Sequence, residues 1–87
     1  MQVAIIGAGA IGTALAQILK EVHDPNNIGL WDQDESKVPP GTDYESLLKT
    51  AEIVFICVPS TSVRDVVEKA VKHVSHQSIF VLSLIHI

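Results

Sequence analysis

Val3-Ala4-Ile5-Ile6 is a continuous apolar run that ends on Gly7-Ala8-Gly9-Ala10-Ile11-Gly12. Apolar residues then recur at Ile11, Ala14, Leu15, Ile18, Leu19 and Val22. The run has no polar alternation, which predicts a strand buried on both faces. The recurrence that follows is the spacing of one face of a helix. A doubly buried strand that passes through glycines directly into an amphipathic helix belongs to a parallel sheet, because parallel neighbours are joined by helical crossovers that cover the sheet.

The remainder of the chain repeats that grammar. Asp24-Pro25-Asn26-Asn27 stops the first helix, since proline and asparagine favour a turn. Ile28-Gly29-Leu30-Trp31 reads as a second strand ending at Asp32. Asp32 to Thr42 is polar, carries Pro39-Pro40-Gly41 and is expected to be a loop. Tyr44 to Lys49 predicts a short helix capped by Thr42 or Asp43. Ile53-Val54-Phe55-Ile56-Cys57-Val58 is the clearest strand, and Pro59 ends it. Ser60, Thr61 or Ser62 can cap the next helix, with Ser62 and Asp65 spaced as a capping box. Its apolar face is expected at Val63, Val66, Val67, Ala70, Val71 and Val74. Ser78 to Leu82 reads as a last strand. The order β-α-β-(α)-β-α-β predicts an α/β fold, a Rossmann-type parallel sheet of about four strands with flanking helices. Right-handed crossovers place the first strand between the second and the third. A ligand crevice then opens at the strand C-termini, where Gly7, Asp32 and Val58-Pro59 converge.

The G-x-G-x-x-G spacing alone is a weak signal. Here it follows a strand, opens a helix and precedes an acid 20 positions after Gly12, the context that gives the pattern a mechanism. Gly7 permits a tight turn, Gly9 leaves room for a pyrophosphate, and Gly12 lets helix and strand pack closely. The amides at the helix start, around Ala10, Ile11, Gly12 and Thr13, are expected to face the phosphates, where the helix dipole favours negative charge. Asp32 is either a solvated loop acid or the ligand of the adenosine ribose hydroxyls, a role in which it repels a 2′-phosphate and favours NAD over NADP. Val58, Pro59 and Ser60 are expected on the far side of the crevice, near the nicotinamide half, although Pro59 also serves as a plain strand terminator. The implied partner is NAD(H).

Other candidates reduce to structural roles. His23, His73 and His76 fall at helix ends without metal-ligand spacing. Cys57 lies in a buried strand and reads as core. Trp31 packs either beside the adenine side of the sheet or in the core. Arg64 pairs with Glu68 at i+4, or reaches a phosphate or another domain. No nucleophile is coupled to a histidine and an orienting carboxylate, so no catalytic residue is identified. With six Lys and Arg and a net charge of −4, no basic cluster exists for a nucleic acid. The opening apolar run is too short for a signal h-region or a membrane span. A single cysteine fits a reducing cytoplasm.

These residues resemble the N-terminal domain of NAD-dependent glycerol-3-phosphate dehydrogenase over nearly the whole chain. Ile5-Ile6-Gly7-Ala8-Gly9 followed by Gly12-Thr13-Ala14-Leu15-Ala16 is similar to that family's glycine loop and its G-T-A-L-A continuation. Leu30-Trp31 matches the close of its second strand. Ala51-Glu52-Ile53-Val54, then Val58-Pro59-Ser60 with Arg64, is similar to A-D-I-V and V-P-S-x-x-x-R. Ile11 departs from the family's bulkier residue, and its neighbourhood also suits ketopantoate reductases. The segment between Trp31 and Thr42 is shorter than the family's, and Ser83-Leu84 is not followed by the family's Lys-Gly. The resemblance implies interconversion of glycerol 3-phosphate and dihydroxyacetone phosphate by a homodimeric parent enzyme. Its small-molecule substrate would be bound only with a C-terminal domain that is expected to be missing here. Cofactor domains of pyrroline-carboxylate, prephenate or ketopantoate reductases open similarly, and a non-catalytic NAD-binding module is the remaining alternative. Residues 82–87, Leu-Ser-Leu-Ile-His-Ile, are what the codons CTG TCT CTT ATA CAC ATC encode, a string resembling a transposon end used as a sequencing adaptor. They are expected to be non-native, and the chain a fragment.

Overall fold

A computed structural model describes residues 1–75 and 78–82. The readings made for His76 and for residues 83–87 lie outside these described residues. Seven elements follow in order: β1 (Val3–Ile6), α1 (Ala10–Val22), β2 (Ile28–Trp31), α2 (Tyr44–Thr50), β3 (Ile53–Ile56), α3 (Ser60–Ala70) and β4 (Ile79–Leu82). Short 3-10 turns at Pro25–Asn27 and Glu35–Lys37 punctuate the connections. In each, the carboxylate of the preceding aspartate, Asp24 or Asp34, accepts an amide two residues on, as short polar side chains do in turns. Asp43 caps α2 by accepting the Ser46 amide at 3.2 Å.

The four strands form one parallel sheet in the order β2-β1-β3-β4. β1 is central, and its four side chains are at most 5% exposed, which is why its sequence lacks alternation. On one face Ala4, Ile6, Val54 and Ile56 pack with Leu48 and Ala51 and with Val63, Val66 and Ala70 of α3. On the other, Val3, Ile5 and Ile28 pack under Ala16, Leu15 and Leu19 of α1, with Cys57. Gly29 brings α2 close to β2, because a side chain there would overlap Leu47. The topology, the parallel pairing and the positions of the helices agree with the sequence reading.

Three local expectations need correction. The inward face of α1 is Gly12, Leu15, Ala16 and Leu19, whereas Ile11, Ile18 and Val22 are exposed. Apolar residues cover more than half of this helix, so their spacing alone does not select the buried stripe. The contact of Gly12 with the end of β1 selects it. In α3 the cap is Pro59, with no side-chain capping bond, and Ser62 is inside the first turn, its amide donating to the Pro59 carbonyl at 2.8 Å. The Ser62/Asp65 capping box therefore does not form. Val71, expected on the buried face, is 49% exposed, because α3 ends at Ala70.

This packing makes two truncations unequal. Leu48→Ala removes a fully buried side chain and is expected to cost about 2–5 kcal/mol, while Ile18→Ala is expected to stay within about 0.5 kcal/mol. Urea denaturation of the two variants measures both. A large loss at Ile18 would show that α1 presents the other stripe to the sheet.

Candidate functional site

The site is assembled where β1 ends. Gly7 has φ +111°, a conformation that side chains rarely adopt, and any Cβ there would overlap the Cys57 carbonyl of β3's extension. Its amide donates to the Trp31 carbonyl at 2.7 Å, while the Cys57 amide donates to the Ile6 carbonyl at 2.8 Å. The ends of β2, β1 and β3 are thus drawn together at one point. Gly12 is confined from the other side, since a Cβ there would overlap the Gly7 carbonyl. Gly9 differs from both: a Cβ would meet nothing within 4 Å. Gly7 and Gly12 therefore serve the packing of the turn, and Gly9 faces open space.

Gly9 caps α1 without a side-chain bond. The Thr13 amide donates to the Gly9 carbonyl at 3.0 Å and closes the first helical turn, so it is not free for a phosphate as the sequence reading had it. The Thr13 hydroxyl donates to the Ala8 carbonyl at 3.1 Å and braces the loop. The amides of Ala10, Ile11 and Gly12 are left without helical partners, as at any helix start. With the positive end of the helix dipole behind them, they can accept an anion in the space beside Gly9.

Asp32 lies directly after β2. Its Oδ2 accepts the Ala8 amide at 2.7 Å, and its Oδ1 accepts the Asp34 amide at 2.8 Å. Beside it is a cavity of about 180 Å³. Trp31, Asp32 and Gln33 form one wall, Val58, Pro59, Ser62 and Val66 the other, and Ile6 and Gly7 complete the lining. The structure thus gathers Gly7, Asp32, Val58 and Pro59, with the loop residues Gly9 to Gly12 adjoining. Ser60 is exposed and outside this lining. Val58 and Pro59, which follow β3, line the same cavity as Asp32.

Gln33, Ser62 and Val66 were missed. Ser62 and Val66 are four apart on α3 and share a face, a signal that becomes legible once the helix is started at Ser60. The Trp31 ring is 4.4 Å from the Tyr44 ring, centroid to centroid, and His73 meets Tyr44 edge-on at 5.5 Å. Trp31 therefore takes part in both the core and the cavity. Cys57 is buried, and burial pushes its thiol up from the ordinary value, the reverse of what a nucleophile needs. Arg64 pairs with Glu68 at 3.2 Å on the surface, a contact of little energetic weight. Among the described residues there is no cluster able to hold a metal ion, and no helix is long and apolar enough to cross a membrane.

A parallel sheet, a glycine turn with unpaired helix amides, and an acid closing the second strand define an NAD(P)-binding Rossmann domain of an oxidoreductase. The chain belongs to the family described as NADP oxidoreductase coenzyme F420-dependent, which matches residues 2–84. A glycerol-3-phosphate dehydrogenase (NAD(P)+) of Bacillus velezensis is 28% identical over 92% of this chain and 29% of its own length. One from Ectopseudomonas mendocina is 27% identical over 84% of this chain and 27% of its own length. The chain thus spans less than a third of these curated relatives. Among solved structures, Synechocystis arogenate dehydrogenase superposes with TM-score 0.76 at 28% identity, over 94% of this chain and 32% of that one. A Staphylococcus aureus ketopantoate reductase gives TM-score 0.74 at 22% identity, over 97% and 36%, a likeness of fold.

The glycines yield a paired expectation. Gly9→Ala should lose no more than about 1 kcal/mol, the cost of alanine at a helix N-cap, and bind NAD(P)H at least about tenfold more weakly, because its methyl group enters the anion space alone. Gly12→Ala should lose about 1–3 kcal/mol of stability or more by forcing the turn apart. Thermal melts and calorimetric titration of both variants check this. Cys57 should react with a thiol reagent only at the rate of unfolding, and fast labelling of the folded chain would contradict its burial.

Proposed function

We propose that this chain is the NAD(H)-binding domain of a dehydrogenase that interconverts glycerol 3-phosphate and dihydroxyacetone phosphate. The observation that carries the cofactor part is the Asp32 carboxylate, held by two amides beside the glycine loop at the edge of the cavity. The residues present fit a dinucleotide. The amides of Ala10, Ile11 and Gly12 would take the pyrophosphate, with Gly9 leaving it room. Asp32 would accept the adenosine ribose hydroxyls, and a 2′-phosphate at that position would meet its negative charge. Because Val58 and Pro59 lie across the cavity from Asp32, we assign them with Trp31 to the adenosine half and not to the nicotinamide half. Ser60 would approach the cofactor only from the rim.

Bound NAD supplies the hydride acceptor, and the chain's own contribution is to hold and orient it. The substrate assignment is supported by the curated relatives and by the G-T-A-L-A and V-P-S-x-x-x-R stretches around Gly12 and Arg64. Groups that bind the substrate would come from polypeptide outside these 87 residues, in keeping with the greater length of the relatives. A buried free thiol suits a reducing cytoplasm. An arogenate or prephenate dehydrogenase is the second reading, favoured by the Synechocystis neighbour at equal identity.

Calorimetric titration with NADH and NADPH tests the cofactor assignment. NADH is expected to bind at least about tenfold more tightly, a difference of about 1.4 kcal/mol. NADPH binding as tightly or more tightly would overturn the preference for NAD. For the substrate, the parent enzyme carrying its remaining domain should reduce NAD with glycerol 3-phosphate and not with arogenate, and the reverse result selects the second reading.

A further inference from the structure

We propose that Asp32 has a second function, as the positioning residue of the glycine loop, separate from any contact with ribose; the inference rests on the cofactor site described above. The Ala8 amide lies between two of the three motif glycines, in the stretch of backbone that must hold one shape for the Ala10 to Gly12 amides to converge on an anion. It donates to Asp32 Oδ2 at 2.7 Å, across 24 residues of sequence, in a half-buried setting. That is the short distance expected when a carboxylate accepts an amide. The other oxygen accepts the Asp34 amide at 2.8 Å and so fixes the carboxylate itself. Thr13 braces the loop from the opposite side through the Ala8 carbonyl. Both backbone polar groups of Ala8 are therefore spoken for by side chains, one from β2's exit and one from α1.

The acceptor capacity allows both functions at once. A carboxylate offers about four lone-pair sites, and two are occupied by Ala8 and Asp34. Two remain for a pair of adjacent ribose hydroxyls. Asp32 thus links the phosphate-binding loop to the ribose end of the site, and its loss should weaken ligands that have no ribose hydroxyls to offer it.

The probe is 2′,3′-dideoxyadenosine 5′-diphosphate, compared with ADP on the 87-residue chain and on its Asp32→Ala and Asp32→Asn variants. Both substitutions remove one negative charge, which by itself favours binding of a diphosphate. They differ in acceptors: asparagine has one oxygen, which can take the Ala8 amide at the expense of the Asp34 amide, and alanine has none. The dideoxy ligand is expected to bind Asp32→Asn at least as well as the parent, and Asp32→Ala at least about tenfold more weakly than Asp32→Asn. Equal affinity for the two variants, or tighter binding by Asp32→Ala, would overturn the proposal. Amide exchange in the unliganded parent is the second measurement, and it stands even if Asp32→Ala does not fold. The Ala8 amide should exchange far more slowly than those of Ala10, Ile11 and Gly12, and exchange at their rate would equally overturn it. If the parent binds neither ADP nor its dideoxy analogue, the cofactor reading fails, while the exchange experiment still decides whether Asp32 holds the loop.

Discussion

The structure depends on the close approach of two backbones at the end of β1. Gly7 presses on the Cys57 carbonyl, and Gly12 presses on the Gly7 carbonyl. No side chain fits at either position without moving main chain, and main chain in the middle of a sheet has nowhere to go. This contact sets the start of α1, the stripe that α1 buries and the direction in which its unpaired amides point. The same contact brings Trp31 and Cys57 to one edge, through the bonds that their backbones make to Gly7 and Ile6. The packing of the fold and the geometry of the site have one origin.

Electrostatics then divides the site between two poles. The start of α1 offers positive partial charge and no side chain, which suits an anion whose shape the backbone can follow. Asp32 offers a fixed negative charge a few residues away in space, already oriented by two amides. An anionic group is welcome at one pole and opposed at the other. A dinucleotide's bridging pyrophosphate suits the first pole, and the proposed preference for a free 2′-hydroxyl follows from the second.

The strands, their order and the glycine turn were legible in the sequence because each depends on local composition. An apolar run of four residues flanked by turn residues is too short for a buried helix and reads as a strand, and right-handed crossovers favour β1 between its two neighbours. The side of α1 that faces the sheet was not legible, since Ile11 and Ile18 are more hydrophobic than Gly12 and Ala16 yet point outward. What decides there is size, through a contact 5 residues away between Gly12 and Gly7, and hydrophobic spacing carries no record of it. Ser62 was misread for a related reason. Its spacing to Asp65 satisfies a capping pattern, but Pro59 has already set the helix start, which turns Ser62 toward the cavity. Asp32 was legible by its position as a residue of the crevice. Its bond to Ala8 was not, because it joins residues far apart in sequence.

The central claim, that the end of β1 organises one continuous dinucleotide site, is tested most directly by backbone amide chemical shifts of the chain during titration with NADH. The largest changes are expected together on Ala10, Ile11 and Gly12, on Asp32 and on Val58, with saturation at a single affinity. Changes confined elsewhere on the molecule, or different affinities at the loop and at Val58, would contradict it.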